Sequence, residues 1–146
     1  MDTVTLNEMV LTFLLYLQQA YVIDQTIPPP QLNFLSDGEM TQMACARECN
    51  GVRGWTPPGN SIYLHEDLSI EKDQYDQSIL LHELVHYVQY QYGLDVMPTE
   101  CLTWKTREAK AYQLQIQWLH EQRVSMEKYG LHRVRQRLLG DQCLPE

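Results

Sequence analysis

Leu80-Leu81-His82-Glu83-Leu84-Val85-His86-Tyr87-Val88-Gln89 decides how the chain is read. Leu80, Leu81, Leu84, Val85 and Val88 recur at spacings of three and four, the stripe of a helix with a buried side. A strand would send successive side chains to opposite faces. On a helix, His82 and His86 share a face, so both imidazoles reach one ion. His82 borders the apolar stripe, about 60° from Val85, and His86 lies about 40° further round. Glu83, about 100° from His82, can face a water on that ion.

Outward from this stretch, the helix is expected to start near Asp73 and run to Tyr92, with Gly93 as its C-cap. Pro98-Thr99-Glu100 opens a second long helix over about 100–127, Gly130 breaks it, and a last helix covers about 131–139. Upstream, Leu6, Met9, Val10, Phe13, Leu14 and Leu17 recur at helical spacing, so residues 5–23 read as a buried amphipathic helix. That segment is not a secretory leader: Asp2 and Glu8 precede its apolar part, no basic residue does, and no small-residue cleavage site follows. It is also too short to span a bilayer. Ile27-Pro28-Pro29-Pro30 makes a stiff connector, because proline lacks the amide donor a helix needs. Residues 31–35 alternate as a short strand. Ser36-Asp37-Gly38-Glu39 starts a short helix running to about Cys45. Asn50-Gly51 is a turn, residues 52–55 a second strand, residues 57–60 a hairpin loop and residues 62–64 a third strand. Residues 66–73 are an acidic surface connection. The expected fold is α+β: an N-terminal helix, a small three-stranded sheet, then a helical half.

Composition agrees with one compact domain over residues 1–146. The apolar fraction is 44% and the charged fraction 21%, both ordinary for a globular protein. The net charge of −8 argues against a nucleic-acid or anionic-membrane partner. Arg133, Arg135 and Arg137 read as one solvated helix face. The cysteines are Cys45, Cys49, Cys101 and Cys143, an even count that permits two disulfides. The favoured pairing is Cys45–Cys49 with Cys101–Cys143, the second tying the C-terminal tail to the start of the long helix. Free thiols are one alternative, and a second zinc site is another, although the spacing matches no common four-cysteine zinc pattern. Disulfides would imply a periplasmic or secreted protein, free thiols a cytoplasmic one.

A catalytic zinc takes three protein ligands and keeps one position for water. His82 and His86 supply two. Glu108, 22 residues beyond His86, is the best third, since the chain needs a turn and part of a returning helix to bring it back. Its helical neighbours Trp104, Ala111 and Tyr112 are apolar or small, so its face points inward, and a carboxylate buried there needs a partner. Glu100 and Asp95 are weaker candidates. Glu83 is the expected general base, taking a proton from water and passing it to the leaving amine; a plain surface carboxylate is the alternative. Tyr112, His120 and Tyr63 are candidate oxyanion donors, each also readable as a packing residue, while His65 and His132 read as surface or packing histidines. Residues 62–64, in an edge position, could pair with an extended peptide; ordinary sheet packing serves equally well. Gln113, Gln115 and Gln117 read as solvated surface, as do Gln89 and Gln91, although Gln89 shares the face of His82 and His86.

At residues 82–112 the chain resembles the gluzincin metallopeptidases, in which H-E-x-x-H is followed by a glutamate ligand on the next long helix. The strands at 31–35 and 60–64 and the pair Cys45 and Cys49 look like a small bacterial group of such proteins. The resemblance implies one zinc ion on His82, His86 and Glu108, with Glu83 as base and a peptide or protein as substrate. The chain lacks the extended downstream domain of large gluzincins and has Tyr112 where they often place an acidic residue that orients a ligand. Glu100, Asp95 or a backbone carbonyl would have to orient the histidines instead. A metal-stabilised binding or scaffold protein without turnover is the alternative function, and hydrolysis of a non-protein amide such as cell-wall peptide is a third. Nothing in the sequence selects a substrate.

Overall fold

Helix α3 (Gln74–Tyr92) is the central element of the computed structural model, which describes residues 3–44, 53–125, 130–140 and Cys143. Its start is fixed by Asp73, whose carboxylate accepts from the amides of Tyr75 and Asp76 at 2.8 and 3.2 Å. Its end is fixed by Gly93, left-handed at φ 59°, a conformation that costs glycine nothing. Leu80, Leu81, Leu84, Val85 and Val88 are all fully buried. They meet Val10, Phe13, Leu14 and Leu17 of α1 (Thr3–Ala20) on one side and Ala111 and Leu114 of α4 (Glu100–Glu121) on another. Tyr87 adds a polar tie, its hydroxyl donating to the Pro28 carbonyl at 2.5 Å.

The sheet supplies the third wall of this core through Ile62 and Leu64. Strand β3 (Ser61–His65) lies in its middle, parallel to β1 (Gln31–Leu35) and antiparallel to β2 (Gly54–Trp55), in the order β1-β3-β2. Among the described residues, β1 and β2 are therefore the edge strands. Of the two readings of residues 62–64, ordinary sheet packing holds and the edge position does not: Tyr63 pairs with Asn33 on one flank and Trp55 on the other, and its ring stacks on Trp55 at 5.5 Å. Helix α2 (Asp37–Ala44) begins with a capping box, Ser36 and Glu39 bonding each other's amides. It is held to β3 by the bond between the Asp37 carboxylate and the buried His65 ring.

Two helices end earlier than their periodicity suggests, for one reason. Val22 and Arg123 adopt left-handed backbones at φ 54° and 60°. Behind each, the next amide reaches back five residues, Ile23 to Gln18 and Val124 to Leu119, closing α1 and α4 as glycine-type caps do. Helix α5 (Leu131–Gly140) returns along α4. Cys101, in the first turn of α4, and Cys143 form a disulfide with α-carbons 5.8 Å apart. The other expected pair, Cys45–Cys49, lies outside the described residues. No helix among the described residues is long and apolar enough to cross a membrane.

Candidate metal centre

The beginning of α3 meets the end of α4, since Ser78 bonds Gln115, and the end of α3 meets the beginning of α4, since Gln89 bonds the Arg107 carbonyl. The two helices are thus antiparallel, and Glu108 comes back opposite the two histidines. Its Oε1 lies 2.9 Å from Nε2 of His82 and 2.7 Å from Nε2 of His86, and the two Nε2 atoms are 3.3 Å apart. Tetrahedral bonds of about 2.05 Å separate ligand atoms by about 3.3 Å. The histidine pair already has that spacing, and the carboxylate needs to move by about half an ångström. Among the described residues, no fourth histidine, cysteine or acidic donor joins this group.

The donor set fits a zinc ion because both histidines are held in one tautomer. Gln89 is 0% exposed, and its amide nitrogen faces the Asp95 carboxylate, the Arg107 carbonyl and the Tyr21 hydroxyl at 3.1, 3.1 and 3.2 Å. Two of these can only accept, so the amide oxygen must be the atom 2.9 Å from Nδ1 of His86, which then carries the hydrogen. A second chain does the same for His82. Ser78 donates to the Tyr75 carbonyl and accepts from the Gln115 amide nitrogen, leaving the Gln115 oxygen 2.9 Å from Nδ1 of His82. Both rings thereby turn an Nε2 lone pair towards the site.

Without an ion the group holds protons instead. Burial opposes charge on His86, but the bond to Glu108 and the charges of Glu83 and Glu108 push its pKa up to about 9. Burial works against ionised Glu108 as well, yet the two imidazoles keep its carboxyl far below the usual carboxylate range. A metal would substitute for that shared proton.

Glu83 stands beside the triad, buried against β2. The Thr56 hydroxyl donates to it, 2.9 Å from Oε1 and 3.1 Å from its backbone carbonyl. A β-carbon on Gly54 would lie 2.7 Å from the Glu83 Cγ, so any larger residue at this strand position must push the Glu83 side chain aside. His82, Glu83, His86, Glu108 and Tyr112 all line one cavity of about 990 Å³, with β2 on one side and α5 on another. The Tyr112 ring packs edge-on to His82 at 4.6 Å, and burial, then Glu108 and Glu83, push its hydroxyl up to about 12.

The other expected candidates lie elsewhere. His120 is exposed and lines a separate groove with Gln113, His132 and Arg135, so it is removed from the site. Glu100 lines the cavity but is outside the ligand group, and Asp95 acts through Gln89. The reading of the glutamines as surface is corrected for Gln89 and for Gln115, which is 2% exposed. Trp104 is corrected too: it stands one turn from Glu108 but is exposed at the cavity rim. Thr56, Gly54 and Tyr21 were not singled out from the sequence, and Gln115 was given no part in the site. Gly54, a lone glycine inside a strand, carried a usable signal of close backbone approach, and Gln115 lies one turn beyond Tyr112 on the Glu108 face.

Residues 2–134 match a family model described as a domain of unknown function, DUF6647. The chain belongs to that family. The DUF6647 match takes in α1 and the first turn of α5, so every residue of the centre falls within it, while Cys143 falls beyond it. No curated protein and no solved structure matches the chain.

Proposed function

We propose that the chain is a zinc-dependent peptidase of gluzincin type. The observation that carries this reading is the convergence of His82, His86 and Glu108 with no fourth donor among the described residues: a structural zinc is enclosed by four ligands, a catalytic one by three. Zinc supplies a Lewis acid that brings the pKa of its water near neutrality. Glu83, steadied by Thr56, takes the proton of the attacking water and hands it to the leaving amine. Tyr112, which lines the cavity against His82 and keeps its hydroxyl protonated at neutral pH, is the proposed donor to the developing oxyanion. Strand β2 offers its outer edge to an extended peptide. The Cys101–Cys143 disulfide supports a periplasmic or secreted location.

The test is metal analysis with digestion of a peptide library. Purified protein is expected to hold one zinc, to cleave peptides when loaded, and to stop when a chelator removes the metal. Glu108→Ala is expected to weaken zinc binding by about tenfold or more. Tightly held zinc with no cleavage of any peptide supports a scaffold instead, and an absence of zinc from both wild type and His82→Ala overturns the metal centre.

A further inference from the structure

Strand β1 has a bare outer edge. Its end residues fix which backbone groups meet β3: the Gln31 amide donates to the Asn60 carbonyl at 2.8 Å, and the Leu35 carbonyl accepts from the Glu66 amide at 2.9 Å. Backbone groups alternate along a strand. Those of Gln31, Asn33 and Leu35 therefore point to β3, and those of Leu32 and Phe34 point away from it. Among the described residues, no strand lies beyond β1 in the sheet and no hydrogen bond reaches the backbone of Leu32 or Phe34.

Nothing in the strand itself guards this edge. Gln31-Leu32-Asn33-Phe34-Leu35 carries no charge and no proline, and its register with β3 has no bulge. Those are the devices by which natural edge strands avoid pairing with another chain. The side chains agree. Leu32 and Phe34 stand beside Ile62 and Leu64 in the register, on the face that carries the core. Ile62 and Leu64 are fully buried, whereas Phe34 is 43% exposed. The apolar face of the sheet thus runs past its last strand. No residue of β1 lines the metal cavity, so this edge is separate from the proposed peptide site.

We propose that β1 pairs antiparallel with β1 of a second copy of the chain, about a two-fold axis at Asn33. The occupant follows from self-complementarity. Around that axis Leu32 exchanges both backbone bonds with Phe34 of the partner subunit, and Phe34 does the same with Leu32 of the partner subunit. Each pair also sets leucine against phenylalanine on the core face. Charge selects the same arrangement. Each copy carries a net charge of −8, so two copies meet best along an uncharged segment. Antiparallel pairing brings Asp37, just past the strand, towards the uncharged Pro28-Pro29-Pro30 of the partner subunit, while parallel pairing would set the two Asp37 side by side. The three-stranded sheet is thereby doubled to six, with β2 and the cavity it lines at each outer end.

The test is sedimentation of the full chain at concentrations spanning about a hundredfold, since mass action drives pairing. Wild type is expected to shift to twice the chain mass at the upper end. Phe34→Lys puts a charge on the open edge, and Leu32→Pro removes an amide that points away from β3. Both are expected to stay monomeric there, with circular dichroism unchanged, and Phe34→Lys alone decides should Leu32→Pro fail to fold. Cross-linking reads the register. Asn33 faces its own copy across the axis, where paired α-carbons lie about 4.5 Å apart, within disulfide reach. Asn33→Cys is expected to give a covalent dimer on a non-reducing gel beyond the wild-type background, and Gln31→Cys, opposite Leu35 of the partner subunit, none. A wild type that stays monomeric at every concentration overturns self-pairing and leaves the edge to another chain's strand. A dimer that survives Phe34→Lys, or that cross-links through Gln31→Cys and not Asn33→Cys, overturns the β1 interface.

Discussion

The β-carbon position of Gly54 lies 2.7 Å from Cγ of Glu83 and 2.9 Å from its Oε2. The edge strand and the proposed base are thus built against each other, and a methyl group at 54 must displace the carboxylate. Gly54→Ala is expected to fold and to bind zinc as wild type does, because His82, His86 and Glu108 are not touched. Its peptide cleavage is expected to fall about a hundredfold, the order of loss that an ångström of misplacement causes. Unchanged cleavage at equal zinc content would show that the Glu83 position is not critical.

Gln89 joins His86 to Tyr21, Asp95 and the Arg107 carbonyl. Gln89→Leu keeps the bulk but frees the imidazole to turn, and zinc affinity is expected to drop by roughly 10- to 100-fold. Tyr21→Phe leaves the Asp95–Gln89 bond in place, so its loss is expected to be smaller. Competition with a chromophoric chelator measures both. Wild-type affinity in Gln89→Leu would mean that the ring needs no such support.

With the His86 pKa raised to about 9 in the metal-free protein, zinc must displace a proton at neutral pH. Uptake is expected to release about one proton at pH 7, and apparent affinity to fall tenfold per pH unit as pH drops below about 9. The sign for metal-free stability is opposite. A raised histidine pKa stabilises fully below about 6.5, and the contribution fades as pH rises through about 9. Titration calorimetry in buffers of different ionisation heat, with thermal melts of the chelated protein, checks both slopes. Zinc binding without proton release would contradict the shared-proton arrangement.

The Cys101–Cys143 bond closes a loop of 42 residues containing most of α4 and all of α5. In the chain-entropy picture such a closure is worth about 4 kcal/mol. Reduction, or Cys143→Ser, is expected to lower the melting temperature and to loosen α5, whose Leu131 and Val134 line the cavity. Identical melts with and without reductant would remove the disulfide from the account.

Much of this was legible in the chain. The apolar stripe of α3, the Asp73 and Gly93 caps and the helix start at Thr99 all follow from local rules, because periodicity and capping are local physics, and the length of the connection was enough to bring Glu108 back opposite the two histidines. Strand order is not local: nothing in residues 62–64 says that β1 and β2 flank them, so Tyr63 was open to an edge reading. Glutamine is ambiguous for a similar reason, since Gln89 and Gln115 differ from the exposed Gln113 and Gln117 only in what the neighbouring elements bring to them. The early ends of α1 and α4 were hidden because Val22 and Arg123 take a conformation that usually announces itself as glycine.

The most direct measurement is the rate of peptide cleavage by zinc-loaded Glu83→Gln beside zinc-loaded wild type, at matched metal content. The account predicts equal zinc in the two proteins, cleavage by wild type, and a rate at least about a hundredfold lower in Glu83→Gln, as befits loss of the general base. Equal rates, or no cleavage by wild type with its zinc in place, would contradict it.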